Sequence, residues 1–211
     1  RIDSLPHASL VMNMLMKRMQ PNEVVFSGHG LREGWMYEVL PEDLRQRDPV
    51  LEACFSFAED GERFHQHGEE VAKWCAPIFS ELPDNIERLR LAACIIGDIG
   101  WNEHPDLNHH DRVFLAYTIG SRYTGNFKGD DASDRILSED DRLTGRLFGH
   151  VIRLGHTLSG GVEGILPQTR LLLEGDKLVL QFEKQAAALY GEQRLSKLAK
   201  LMNRESEVRL M

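Results

Sequence analysis

At 211 residues, 42% of them hydrophobic and 27% charged, the chain is globular and has room for one sizeable domain, or for one domain plus part of another. A net charge of −8 excludes a broad surface for nucleic acid or anionic lipid, which many Lys and Arg contacts would have to hold, so any polyanion must meet a local basic patch. No apolar run approaches the roughly 20 residues that span a bilayer, and Arg1-Ile2-Asp3-Ser4 is no signal peptide, so a cytoplasmic protein without membrane contact is expected.

Leu5-Pro6-His7-Ala8-Ser9-Leu10 leads into a Met- and Leu-rich helix. Val24-Val25-Phe26 then reads as a short buried strand, Ser27-Gly28-His29-Gly30 as a glycine turn, and Leu31 onward as a helix start. Pro41 to Pro49 is charged and bounded by prolines, as an inter-domain turn would be, which divides the chain into residues 1–40 and 41–211.

Beyond Pro49 the pattern is mainly helical. Phe64, His67, Gly68, Val71, Trp74, Ile78 and Leu82 recur at helical spacing, and residues 86–97 are apolar nearly all round, as in a central helix. Asn108 caps a third helix with Asp111 in its first turn. Ser138 caps a fourth, in which Glu139, Asp140 and Asp141 suit the positive end of the dipole and Leu143, Leu147, Val151, Leu154 and Leu158 form the stripe. Between these two helices, Gly125 to Asp134 reads as an exposed, mobile polar loop. A hairpin at about 168–183 follows from the period-two pattern of Leu178, Leu180 and Phe182 after Gly175-Asp176. Two short helices, about 184–190 and 193–203, close the chain on either side of Gly191. Cys54, Cys75 and Cys94 form no CxxC pair and lie in apolar helical contexts, which marks them as reduced core residues.

The run from Val24 to Gly34, with its long Gly-Leu-Arg-Glu-Gly element and the following Trp35-Met36-Tyr37-Glu38-Val39-Leu40, resembles the end of the second actin-like domain of the exopolyphosphatase and guanosine pentaphosphate phosphatase (Ppx/GppA) family. Residues 1–20 are similar to what precedes that strand in the family. The resemblance implies a mainly α fold: a helical bundle like an HD domain with a C-terminal β-hairpin, preceded by a short α/β remnant of an actin-like (ASKHA) domain. It implies an enzyme that hydrolyses terminal phosphoanhydride bonds of polyphosphate, or the 5′ γ-phosphate of pppGpp, with Mg²⁺. Acidic residues and phosphate loops of two actin-like domains would do that chemistry. Those loops are not in this sequence, so the catalytic part is expected upstream. The chain itself is then expected to be inactive and to need no metal of its own. Its expected roles are polyphosphate binding or dimerisation as a homodimer beside the actin-like domains of the same protein.

HD phosphohydrolases carry a metal pattern of a His, an adjacent His-Asp pair and a later Asp. By resemblance His67 takes the first position and Gly97-Asp98 the second, where the His is gone. Glycine has no ligand atom, so a complete metal site is not expected even with His104, His109 and His110 nearby. Successive residues of a helix point about 100° apart, which keeps His109 and His110 from sharing one ligand. His67 is then a core histidine bonded to a neighbour, and Asp98 a paired buried charge. Arg142, Arg146, His150 and Arg153 fall at i, i+4, i+8 and i+11, a ridge that suits phosphate because guanidinium makes paired hydrogen bonds to its oxygens. With Arg32 of the glycine-rich run, Arg142, Arg146 and Arg153 are the candidate substrate-binding residues. Two alternatives remain: an autonomous HD-type, metal-dependent nucleotide phosphohydrolase, and a non-catalytic regulatory or dimerisation module.

Overall fold

The structure, a computed structural model, describes residues 2–24, 28–59, 65–79, 81–97, 107–125, 127–129, 131–182 and 188–210. The chain separates into two compact units, residues 1–38 and 39–211. Of the expected strand at Val24-Val25-Phe26, only Val24 lies within the described residues.

In the first unit, α1 (Leu5–Met19) ends at Gln20, whose left-handed backbone (φ 46°) turns its N–H back to the Met16 carbonyl at 2.9 Å. The second helix, α2 (Leu31–Glu38), opens where the Glu33 carboxylate accepts the Gly30 N–H at 2.7 Å. Glu33 is therefore a helix-start residue, and its hydrogen bonds from the backbone hold its pKa below the ordinary value. Both helices leave large apolar side chains exposed, among them Leu10, Leu31 and Trp35.

The second unit holds the core. After the short α3 (Glu42–Arg45), Asp48 starts α4 (Pro49–Glu59) by accepting the Val50 N–H at 2.9 Å, and its other oxygen pairs with Arg88 at 2.5 Å. Helix α5 (His65–Cys75) crosses α6 (Asp84–Ile95) so closely at Gly68 that a Cβ there would lie 2.8 Å from the Ile95 Cα. Buried Arg90 of α6 ties this crossing together by donating to the Ala72 carbonyl and the Cys75 sulfur, both at 2.9 Å, while pairing with Glu87. The three cysteines are buried and reduced.

Helix α7 (His109–Thr124) is capped by the Asn108 side chain, which accepts the Asp111 N–H at 2.8 Å, and ends at left-handed Gly125. Helix α9 (Glu139–Ser159) starts with a reciprocal box: Ser138 Oγ accepts the Asp141 N–H at 3.1 Å and Asp141 accepts the Ser138 N–H at 2.9 Å. Its stripe of Phe148, Val151, Ile152, Leu154 and Leu158 is buried, with Phe148 meeting Phe79 and Phe114 edge-on.

Between α7 and α9, the stretch expected to be a mobile loop contains α8 (Asp131–Ile136) and is anchored. The Phe127 ring packs edge-on against Tyr117, 5.3 Å between centroids, and closes over Gly120, while Ser133 is buried.

The hairpin forms as expected, β1 (Thr169–Glu174) running antiparallel to β2 (Lys177–Phe182) with Leu171 opposite Leu180. Trp74 of α5 fixes it to the bundle by donating its indole N–H to Thr169 Oγ1 at 2.9 Å. The end of the chain differs from expectation. A single helix, α10 (Ala188–Leu201), passes through Gly191 without a break, and β3 (Glu205–Leu210) then pairs parallel to β2, completing a β1-β2-β3 sheet. Gly191 is there for proximity, since a Cβ would come within 2.7 Å of Leu158 Cδ2 on α9. The α9 and α10 helices are thereby brought side by side.

A basic cleft as the candidate functional site

Two glycines set the geometry of the site. Gly149 lets α9 approach α7 until a Cβ would stand 2.6 Å from the Thr118 carbonyl oxygen, while Gly191 on α10 makes room for the tip of the Leu158 side chain of α9, 2.7 Å from where a Cβ would stand. The end of α7, the middle of α9 and the face of α10 then enclose two adjoining cavities of about 560 and 380 Å³ that share Gly125, His150 and Lys197.

Their walls are strongly cationic. Lys128, Arg146 and Lys200 line the first, above a floor of Tyr117, Phe127 and Leu201; Arg153 and Arg194 line the second, with the hydroxyls of Thr124 and Thr157 and the amide of Gln193. With the shared Lys197, six cationic side chains line the two cavities, and no carboxylate is among the described residues lining either one. In a chain of net charge −8 this is a strongly uneven distribution. Burial, and then Arg153, Lys197 and Arg146, push the His150 pKa below its ordinary value, against a hydrogen bond to the Gly125 carbonyl that supports the charged form. Burial and Arg153 likewise lower the Arg194 pKa.

Of the sequence-predicted basic residues, Arg146 and Arg153 line the cleft and Arg142 does not. Arg142 is held away by an ion pair with Asp134 at 2.9 Å and a bond to the Leu137 carbonyl. Arg32 belongs to the first unit and is exposed on α2. Sequence reasoning missed the α10 contribution, although Arg194, Lys197 and Lys200 recur every three residues, a spacing that puts them on one helix face.

Among the described residues, the HD-type positions do not converge. His67 is buried, its Nε2 2.7 Å from Ser159 Oγ and its ring against that of His156, with centroids 4.5 Å apart. Burial, and then Arg122 and His67, lower the His156 pKa to about 3. At Gly97 a Cβ would meet the Ala93 oxygen at 3.1 Å and Ile152 Cγ2 at 3.2 Å, so the position is also crowded against a larger side chain. Asp98 and His104 lie outside the described residues. His109 is exposed at the start of α7, while His110 bridges Asp111 at 3.3 Å and Asp141 at 3.2 Å, joining α7 to the cap of α9. Among the described residues no group of three His, Cys, Asp or Glu side chains could hold a metal ion. No helix among them is long and apolar enough to cross a membrane.

No curated protein matches the chain. The exopolyphosphatase C-terminal family model matches residues 58–208, which takes in α5 to α10, the sheet and every residue named in the cleft. By that match, over well more than half its length, the chain belongs to the exopolyphosphatase C-terminal family.

Proposed function

We propose that residues 39–211 bind linear polyphosphate in the basic cleft and present it for terminal phosphoanhydride hydrolysis by actin-like domains of the kind that residues 1–40 resemble. The observation that carries this reading is the six cationic side chains that line the two adjoining cavities with no carboxylate among the described lining residues. Such a wall attracts any polyanion, and the family membership selects among polyanions. Arg146, Arg153 and Arg194 offer planar donors to paired phosphate oxygens, while Lys128, Lys197 and Lys200 act as point charges that tolerate sliding. Attraction built mainly on charge holds a repeating chain without fixing its register, as processive shortening requires. Hydrolysis by an HD-type metal centre here has no support from the described histidines, which face separate partners.

The test is the affinity of the whole chain for sodium polyphosphate, measured by calorimetry, for the wild type and for the double variant Arg146→Gln, Lys197→Gln. The expected result is a loss of at least about tenfold in the variant, corresponding to about 1.4 kcal/mol. Equal affinity would remove the cleft from the binding path. Phosphate release by the purified chain at a rate near that of an intact exopolyphosphatase would overturn the division of labour.

A further inference from the structure

His150 occupies an unusual position for a titratable group. Among the described lining residues it is the one ionisable side chain, besides Lys197, that both cavities share, and it is 9% exposed. Charged groups face it from three directions. On its own helix Arg146 stands one turn before and Arg153 one turn after. From α10 come Lys197 and Arg194, with Lys200 one turn further along. From the end of α7 the Gly125 carbonyl takes its ring N–H, and Lys128 lines the first cavity just beyond. No acid answers these cations among the described lining residues.

In the empty cleft a proton on His150 would add a positive charge to a cluster of six. A phosphate chain reverses that balance, because it neutralises the cations and brings acceptor oxygens into the cavities that the imidazole lines. Whatever raises the proton affinity of His150 on binding must, by linkage, raise ligand affinity on protonation by the same factor. We propose that His150 takes up a proton as polyphosphate enters the cleft, so that the cleft holds its ligand more tightly as the pH falls from about 8 to about 6. This regulation rests on the reading of the cleft given above.

No other protein group among the described lining residues can supply the effect. The lysines and arginines carry their charge throughout this range. Internal phosphates of a long chain are strong acids and stay ionised, so only the two ends of the ligand titrate near neutrality. His156, with a pKa near 3, remains neutral, and His110 is engaged with Asp111 and Asp141 at the start of α9. The Gly125 hydrogen bond already supports the charged imidazole, so protonation requires no loss of that contact.

The experiment is a calorimetric titration of the whole chain with long-chain sodium polyphosphate at about pH 7, run in two buffers of different ionisation enthalpy, which reads the protons exchanged on binding. Net uptake of a fraction of a proton up to about one per protein is expected, with an affinity about three- to tenfold higher at about pH 6 than at about pH 8. In His150→Gln, which keeps an N–H for the Gly125 carbonyl, the uptake is expected to vanish. Binding without proton uptake, or the same uptake in His150→Gln, overturns the inference and leaves the cleft reading standing. Absence of binding at either pH overturns both. Should the variant not fold, the imidazole resonances of the wild type decide: one histidine must titrate at higher pH with ligand than without it, and constant titration of all of them refutes the coupling.

Discussion

The guanidinium of Arg153 lies against Gly125, the residue that ends α7 with φ at 69° and turns the chain toward the cleft. A Cβ on Gly125 would fall inside contact distance of Nη1. Gly125→Ala therefore does two things. It places a side chain in the left-handed region, at about 1 kcal/mol, and it pushes Arg153 out of the second cavity. The expected outcome is a small fall in thermal midpoint together with a three- to tenfold loss of polyphosphate affinity, each about the effect of 1 kcal/mol. Unfolding and calorimetry on the same sample would check it. A lowered midpoint with unchanged affinity would mean that Arg153 does not reach the ligand from its present place.

Arg142 provides an internal control for the ridge on α9. It shares a spacing with Arg146 and Arg153, yet Asp134 neutralises it. Exposed pairs of this kind contribute little to stability, so Arg142→Gln should leave folding and binding within a factor of about two. Arg146→Gln should weaken polyphosphate binding by about three- to thirtyfold and flatten its dependence on salt, because one fewer counterion condensed on the ligand is released into solution on binding. Affinity measured at three salt concentrations distinguishes the two variants. Equal losses would show that the ridge works as a diffuse field, not through the residues lining the cavities.

Stability should fall in acid because of His156. Its pKa moves from 6.5 to about 3 on folding, driven by burial and then by Arg122 and His67. Between those values the unfolded chain holds a proton that the folded one rejects, so the folded state loses stability as the pH drops from about 6.5 toward 3. The ceiling is about 5 kcal/mol from this group, since each pKa step corresponds to about 1.4 kcal/mol. Urea denaturation at several pH values should show a shallower acid slope in His156→Gln than in the wild type. An identical slope in both would place the acid sensitivity elsewhere.

His110 has the opposite sign. Burial works against its charge, but hydrogen bonds to Asp141 and Asp111 outweigh it, and the pKa rises. The stabilisation is present below the ordinary histidine value and is lost as the pH climbs through the raised one. His110→Gln should therefore be less stable than the wild type at about pH 6 and approach it at about pH 9. A constant difference across that range would show that the ring contributes by packing alone.

Local chemistry was readable in the sequence. The Asn108 and Ser138 caps act through residues three positions away, and the hairpin follows from alternation over six residues. What stayed hidden depends on contacts distant along the chain. The strand β3 carries Glu205, Glu207 and Arg209 and looks like a polar tail; it is a strand because its backbone pairs in parallel along the whole of β2, with Val208 opposite Leu180. Gly191 reads as a helix break until Leu158 is seen against it. The same fact hid half of the site. Arg146 and Arg153 were legible as a ridge, but only the packing of α10 beside α9 sets Arg194 and Lys197 in the same cavities. His67 was recognised as a core residue, while its partner Ser159 lies 92 positions away.

The crossing of α7 and α9 should be the most sensitive point of the cleft. A Cβ at Gly149 would sit 2.6 Å from the Thr118 oxygen, 2.7 Å from the Ser121 Cβ and 2.8 Å from the Arg122 nitrogen. Two of these are backbone atoms of α7, which cannot turn aside, so Gly149→Ala must separate the helices. Overpacking of this kind costs about 1–3 kcal/mol. One turn earlier, at Gly145, a Cβ would meet only side chains, those of Thr118 and Tyr117 at 3.1 and 3.2 Å and that of Phe114 at 3.8 Å, and no backbone atom. Both substitutions raise intrinsic helix propensity equally, so the difference between them isolates the crossing. Gly149→Ala is expected to lower the thermal midpoint more than Gly145→Ala. It should also weaken polyphosphate binding, since spreading the helices draws Gly125 and Lys128 away from Arg146, His150 and Arg153. If Gly145→Ala proves the more damaging, the close approach is not centred at Gly149, and the walls of the cleft are set by another contact.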